Sequence, residues 1–267
     1  MFFHPDVKRA EIHNLVGYCL AHAANMHGIQ VHACVMMSNH HHTDVTDPEG
    51  NLVSFKQLFH SLLARGINAL RGRFDAVWSR DRACDTRRQS EDEALTDLVY
   101  TLANPVKAGL VKWGHLWEGF TTHGWRFGES RTFLRPNFLF DDEGNMPEKV
   151  HLTLQRPPLC LDLDDEEFFD LLMKQTRMCE QQQQEELHGR GGRPFVGVEK
   201  LRRQGWNSVP RSFDERFKRA ARVAGSSLWM VLAALQRDRA WERAYAEARA
   251  MLWSGVESVF PEGTYWL

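Results

Sequence analysis

The sequence predicts an α+β fold, a ferredoxin-like (RRM-like) palm with an antiparallel sheet, followed by an α-helical C-terminal module. Two patterns support this prediction. Apolar residues repeat at helical and alternating spacings in the order α-β-β-α over residues 7–70, and a Gly-Arg-rich segment at 189–194 precedes a basic helical stretch. A ferredoxin-like palm begins with a β-strand, and the predicted order of elements lacks this first strand. One edge of the sheet therefore has no predicted partner strand.

The elements follow from local signals in chain order. Helical spacing of apolar residues predicts a helix over residues 7–26, and alternation predicts strands over 29–37 and 40–45, joined as a hairpin. A second apolar helical face spans 53–70. A capping-box sequence opens a third helix, which we expect to end at Pro105 because proline has no amide hydrogen.

A His-x-His pair at the start of the second predicted strand is the most informative feature of the chain. His40 and His42 lie on one face of a strand, roughly 6–7 Å apart at Cα, so both imidazoles can reach one divalent ion. Asp44 shares that face and is a candidate third ligand, because hard cations favour carboxylates. The same pattern also suits a polar turn whose histidines face solvent.

Two motif blocks, in this order and spacing, resemble the REP-associated tyrosine transposases and their relatives, the single-tyrosine HUH (His-hydrophobe-His) insertion-sequence transposases. The first block is Met-x-Asn-His-x-His at residues 37–42, and the second is Asn-Pro-Val-Lys-Ala-Gly-Leu-Val at 104–111. The resemblance covers residues 5–125 and, more faintly, the C-terminal third. It implies that the palm is an HUH domain and that the process is DNA transposition.

This resemblance implies a metal-dependent nuclease and strand transferase. His40 and His42 would hold Mg²⁺ or Mn²⁺, a Lewis acid for a phosphodiester of single-stranded or hairpin DNA. A tyrosine from a nearby helix would attack that phosphodiester and leave a 5′-phosphotyrosine and a free 3′-hydroxyl. The family usually has an apolar residue at the position of His41.

The nucleophile departs from the family pattern. Relatives carry the tyrosine a few residues after the tryptophan matched by Trp78, and residues 80–86 contain no tyrosine. Cys84 lies near that position. Tyr100 falls on the third predicted helix, where we expect a core aromatic with a satisfied hydroxyl. The catalytic residue is therefore unassigned, with Tyr100 and Cys84 as the candidates.

Charge is unevenly distributed along a chain whose net charge is −2. Arginines crowd the region around the histidine pair and recur beyond residue 195, which fits phosphate contacts that position DNA. Ala221, Gly225 and Val231 match the spacing of a helix-turn-helix, and a plain helical hairpin fits the same pattern. The predicted DNA-binding residues are Arg65, Arg71, Arg73, Arg80, Arg82, Arg202, Arg203 and Arg219.

We predict an HUH transposase-like domain at 1–125, a loop-rich acidic connector at 126–188 and a basic helical module at 189–267. No run of about 18 apolar residues occurs and no secretory pattern opens the chain, so we expect a cytoplasmic protein without membrane contact. Scattered cysteines without Cys-x-x-Cys spacing indicate reduced thiols. Family analogy suggests a monomer or a homodimer.

The sequence favours a transposase-like DNA-binding protein whose catalysis is impaired by the missing tyrosine. Two other functions stay open. One is a repurposed DNA-binding protein that does not cleave, and the other is a cytoplasmic metallo-phosphodiesterase that uses His40, His42 and Asp44. A truncated start would account for the missing first strand.

Overall fold

The computed structural model describes residues 1–79, 85–88, 92–141, 143–158, 163–189, 195–208, 222–225 and 227–264. The chain forms two compact units. The larger comprises Met1–Asp81 with Ala94–Asp214, and the smaller comprises Arg82–Glu93 with Glu215–Leu267. Helices and antiparallel hairpins alternate along the chain, which confirms the α+β class.

The first elements of the larger unit occur in the predicted α-β-β-α order. Helix α1 spans Arg9–His27, strands β1 and β2 span Gln30–Met36 and His41–Thr46, and helix α2 spans Leu52–Arg71. The two strands pair antiparallel, with Met36 opposite His41 at the turn. The predicted hairpin is therefore confirmed, and its turn presents the His-x-His pair.

Helix α3 spans Asp92–Lys107 and continues past Pro105, where we expected it to end. The proline lies in the last turn, so only one intrahelical hydrogen bond is lost. The Ala108 N–H still donates to the Asn104 carbonyl at 2.9 Å. The chain then turns at Gly109, whose φ of 68° belongs to the left-handed region that glycine tolerates. The predicted end of α3 was wrong. A proline ring clashes with the helical turn that precedes it, but it does not prevent the next residues from completing the last turn.

The first part of the predicted loop-rich acidic connector, residues 126–158, contains a hairpin, so the expectation of a loop is wrong there. Strands β4 (Ser130–Leu134) and β5 (Lys149–Thr153) form an antiparallel hairpin, and α4 (Asp165–Gly189) follows. Each strand buries only one or two apolar side chains: Phe133 on β4, and Val150 and Leu152 on β5. The sequence of β4 does not alternate between polar and apolar residues, whereas that of β5 does, so β5 alone carried a usable signal.

Helix α1 lies at the centre of the core of the larger unit and contacts α2, β4 and β5. Two glycines allow this close packing. A Cβ at Gly17 would overlap the ring of Phe133, and a Cβ at Gly66 of α2 would overlap the side chain of Leu15. The chain uses glycine at these helical positions because the neighbouring side chain occupies the space.

The edge of β1 that lacks a predicted partner strand is covered by later parts of the chain. The Met36 N–H donates to the Phe120 carbonyl at 2.8 Å, and the Thr122 N–H donates to the Cys34 carbonyl at 2.9 Å. Farther along the strand, the Gln155 N–H donates to the Val31 carbonyl at 2.9 Å. These hydrogen bonds satisfy an edge that would otherwise expose unpaired backbone groups.

The larger unit also contains a short helix, α5 (Val198–Arg203). In the smaller unit, β3 (Arg87–Arg88) pairs in parallel with β6 (Val223–Ala224), and helix α6 spans Leu228–Trp253. Strand β6 stands directly before Gly225, where a helix-turn-helix would place its first helix. The described part of that prediction is therefore wrong, and Ala221 lies outside the described residues. Because residues 228–253 contain no glycine or proline, the helix continues without a turn.

Candidate functional site

The start of β2 and the middle of α3 bring several polar side chains together. The imidazole centroids of His40 and His42 are 5.1 Å apart, edge to face. The Tyr100 ring lies 5.6 Å from the His42 ring, and the Asn104 side chain is hydrogen-bonded to His42. The Lys107 ammonium lies 4.2 Å from the centre of the Tyr100 ring. The histidine pair and one side of α3 therefore form a single candidate site.

Helical spacing explains why α3 presents these side chains together. Tyr100, Asn104 and Lys107 stand at positions i, i+4 and i+7, which share one side of a helix. Leu98 and Leu102 are buried and stand two positions to either side of Tyr100, about 200° away around the helix. Tyr100 is 44% exposed, so the prediction that it is a core aromatic is wrong.

Hydrogen bonds hold both imidazoles, and burial keeps His42 neutral. The Nδ1–H of His40 donates to the Asn39 side-chain oxygen at 2.8 Å. Burial, followed by the nearby His40 and Lys107, lowers the pKa of His42 to about 4, and the hydrogen bond with Asn104 acts in the opposite direction. His42 is therefore neutral near pH 7, which is the form that binds metal ions.

His41 points away from the pair, as alternation along a strand requires. Its Nε2 lies 2.9 Å from His60 Nε2, and its Nδ1 lies 2.8 Å from Thr43 Oγ1. The indole N–H of Trp78 donates to the His60 carbonyl at 2.8 Å. Burial lowers the pKa of His41 to about 3. The family that the sequence resembles has an apolar residue at this position. Histidine fits here because its ring is neutral and both ring nitrogens have polar partners.

The structure does not assemble the predicted three-residue metal site. His40 and His42 are brought together, but Asp44 does not join them as a third ligand. Among the described residues, no three His, Cys, Asp or Glu side chains lie close enough together to hold one ion. Any ion at this pair would take its remaining ligands from other groups, such as water or a bound phosphate.

Four of the predicted DNA-binding arginines are engaged in ion pairs within the protein: Arg71, Arg73, Arg202 and Arg203. The Arg71 side chain is 2% exposed and bonds the Asp6 carboxylate at 2.7 Å. It also donates to the backbone carbonyls of the N-terminal segment. The prediction for Arg71 is wrong because this buried pair holds the N-terminal segment against the end of α2. Arg202 donates from Nε to the Glu118 carboxylate at 2.8 Å but remains partly exposed.

The arginines that were predicted to bind DNA lie on several different segments of the chain. Arg65 is exposed on α2, and Arg203 is exposed on α5. The Arg73 guanidinium lies 3.7 Å from the centre of the Phe2 ring. The remaining predicted positions, Arg80, Arg82, Cys84 and Arg219, lie outside the described residues.

Sequence reasoning missed Asn104, Lys107 and His60. The first two carried a usable signal, since they follow Tyr100 at four and seven residues, the spacing of one helix face. The expectation of a buried Tyr100 hides that signal, because it places this helix face in the core. His60 carried no signal, because its contact with His41 joins α2 to β2 across the fold.

Comparisons with known proteins identify no relative: no family model, curated protein or solved structure matches the chain. The transposase resemblance thus rests on the sequence motifs alone. In the part of the chain that the structure describes, no helix combines the length and the apolar character needed to cross a membrane.

Proposed function

We propose that this protein cuts and rejoins single-stranded DNA with Tyr100 as its nucleophile and His40 and His42 as its metal ligands. One observation carries the proposal. An exposed tyrosine lies with its ring against the histidine pair, on the helix that carries the second motif block. The tyrosine absent from residues 80–86 thus has a counterpart that approaches the pair from another element.

In the proposed reaction, the Tyr100 oxygen attacks a backbone phosphorus. A bond forms between that oxygen and phosphorus, the bond from phosphorus to the 3′ oxygen breaks, and the phenol proton is lost as the 3′ oxygen gains one. The product is a 5′-phosphotyrosine and a 3′-hydroxyl. Reversal by a different 3′-hydroxyl would join strands. The Lys107 ammonium beside the Tyr100 ring is placed to balance negative charge on the tyrosine oxygen and the phosphate.

The donor set fits Mn²⁺ or Mg²⁺. Two adjacent imidazoles, of which His42 is neutral near pH 7, can donate lone pairs to such an ion. Phosphate oxygens and water would complete the coordination. Such an ion would polarise the scissile phosphodiester. Asn39 and Asn104 hold the two rings, each by a side-chain hydrogen bond.

The test is covalent capture of labelled DNA. Purified protein is incubated with a hairpin-tailed single strand, with and without Mn²⁺, and resolved on a denaturing gel. We expect an adduct that requires Mn²⁺, disappears in Tyr100→Phe and in His42→Ala, and persists in Tyr245→Phe. Tyr245 is the matched control because it lies on α6 of the smaller unit.

The same experiment separates the other functions. DNA that is bound without an adduct in any condition would indicate a binding protein. Cleavage without an adduct, unchanged in Tyr100→Phe, would indicate a phosphodiesterase that uses water. Either result would contradict the proposed role of Tyr100.

A further inference from the structure

A cavity of about 490 Å³ lies between α3 and α4, in the larger unit. It is open to solvent, its lining does not include the histidine pair, and two of its lining residues, Leu95 and Val99, also pack against the core. Helix α4 contributes one face at spacings of three and four residues, and α3 contributes the turn before Tyr100. The lining residues on which the argument depends are Thr96, Val99, Gln175, Met178, Gln182 and Glu185.

The lining combines apolar surface with amide groups. Val99 and Met178 offer an apolar surface against which a flat ring can pack, and the side chains of Gln175 and Gln182 offer both donors and acceptors. Glutamine amides pair with the edges of nucleobases, most characteristically with adenine. Glu185 also lines the cavity, and its negative charge disfavours a phosphate there. This chemistry suits a base rather than the sugar-phosphate backbone.

The cavity begins beside the proposed nucleophile. Thr96 stands one helical turn before Tyr100, so the two side chains are neighbours on α3. Lys107 interacts with both Tyr100 and a residue of the cavity wall. Its ammonium lies over the Tyr100 ring, and it also opposes the effect of burial, which raises the pKa of Cys179 in the cavity wall. A nucleotide next to the one attacked by Tyr100 would therefore lie close to the cavity.

We propose that the cavity between α3 and α4 binds one unpaired nucleobase of the strand that Tyr100 attacks. This inference rests on the proposed function. It adds a recognition site, because a base held there fixes which phosphodiester meets Tyr100. The amides would favour a purine such as adenine, and apolar contact with Val99 and Met178 would supply most of the affinity.

The test uses a series of hairpin-tailed oligonucleotides that differ only in one abasic site, moved along the tail. Fluorescence anisotropy gives the Kd for the wild type and for the double variant Gln175→Leu/Gln182→Leu. Gln183→Leu is the matched control, because Gln183 lies on the same helix outside the cavity lining. Thr96→Trp fills the cavity from α3 at an exposed position. Circular dichroism checks that each variant is folded.

We expect one tail position at which loss of the base weakens binding about tenfold in the wild type and in Gln183→Leu. In the double variant and in Thr96→Trp, the intact strand should bind about tenfold more weakly, and loss of the same base should have little further effect. Equal binding of all abasic strands by a wild type that forms the Tyr100 adduct would overturn this inference alone. A wild type that binds no single strand would overturn the proposed function as well.

Discussion

Replacement of Asn104 by leucine separates the role of this residue in positioning His42 from its role in stability. Asn104 is 6% exposed on α3 and holds the His42 ring by a side-chain hydrogen bond. Its Nδ2 is buried and has no hydrogen-bond partner. Leucine has a similar size, so the substitution removes both amide groups without opening a large cavity.

The expected effects differ in size. Loss of a side chain that orients a metal-binding histidine typically weakens metal affinity about 10- to 100-fold. The free energy of unfolding should change much less. Loss of the hydrogen bond to His42 costs about 1 kcal/mol, but removal of a buried unpaired N–H recovers an amount of the same order. We expect Asn104→Leu to be as stable as the wild type to within about 1 kcal/mol.

Two measurements check this expectation. Titration calorimetry with Mn²⁺ gives the affinity, and ¹⁵N chemical shifts of the His42 ring in metal-free protein report its tautomer. Asn25→Leu is the control, because Asn25 is an exposed helical asparagine whose side chain donates to the His151 carbonyl. Unchanged Mn²⁺ affinity together with unchanged His42 shifts in Asn104→Leu would refute the positioning role.

Three further predictions concern packing and charge in the larger unit. Gly17→Ala should lower the free energy of unfolding by about 1–3 kcal/mol, measured by urea denaturation, because the new methyl group overlaps the Phe133 ring. Asp6→Asn should cost about 3–5 kcal/mol in the same assay, because it leaves the buried Arg71 charge without its carboxylate. For His123, burial lowers the pKa to about 4 from an ordinary value of about 6.5. The unfolded chain therefore binds a proton at a higher pH than the folded chain does, and stability should fall as pH drops from about 6.5 to about 4. At about 1.36 kcal/mol per pKa unit, His123→Gln should remove about 3 kcal/mol of that acid sensitivity.

Each of these three predictions has its own control. Gly144→Ala tests whether any glycine substitution in the larger unit has the effect expected of Gly17→Ala, since a Cβ there meets no atom closer than 3.1 Å. Loss of stability in Asp6→Asn should depend little on salt, because the pair is buried. For the acid response, His188→Gln changes an exposed histidine on α4. Equal acid sensitivity of the His123 and His188 variants would contradict the assignment to His123.

Local patterns were sufficient for the elements that bury a single apolar face. Helices α1 and α2 and the hairpin β1–β2 lie within a few residues of their predicted bounds, because a period of 3.6 or 2 repeats over enough residues to be recognised. The short strands β4 and β5 were missed. Their burial depends on α1, which is more than a hundred residues earlier in the chain.

The sequence by itself determined that His40 and His42 would lie on one face at the start of a strand, because alternation is a local property of extended backbone. Tertiary structure alone decided what stands opposite them. Tyr100 could have been buried or exposed according to which side of α3 met the core, and the packing of Leu98 and Leu102 turned Tyr100 toward the histidine pair. Tertiary structure likewise covered the edge of β1 with backbone from around Phe120 and Gln155, because hydrogen bonds between distant segments leave no local pattern in the sequence.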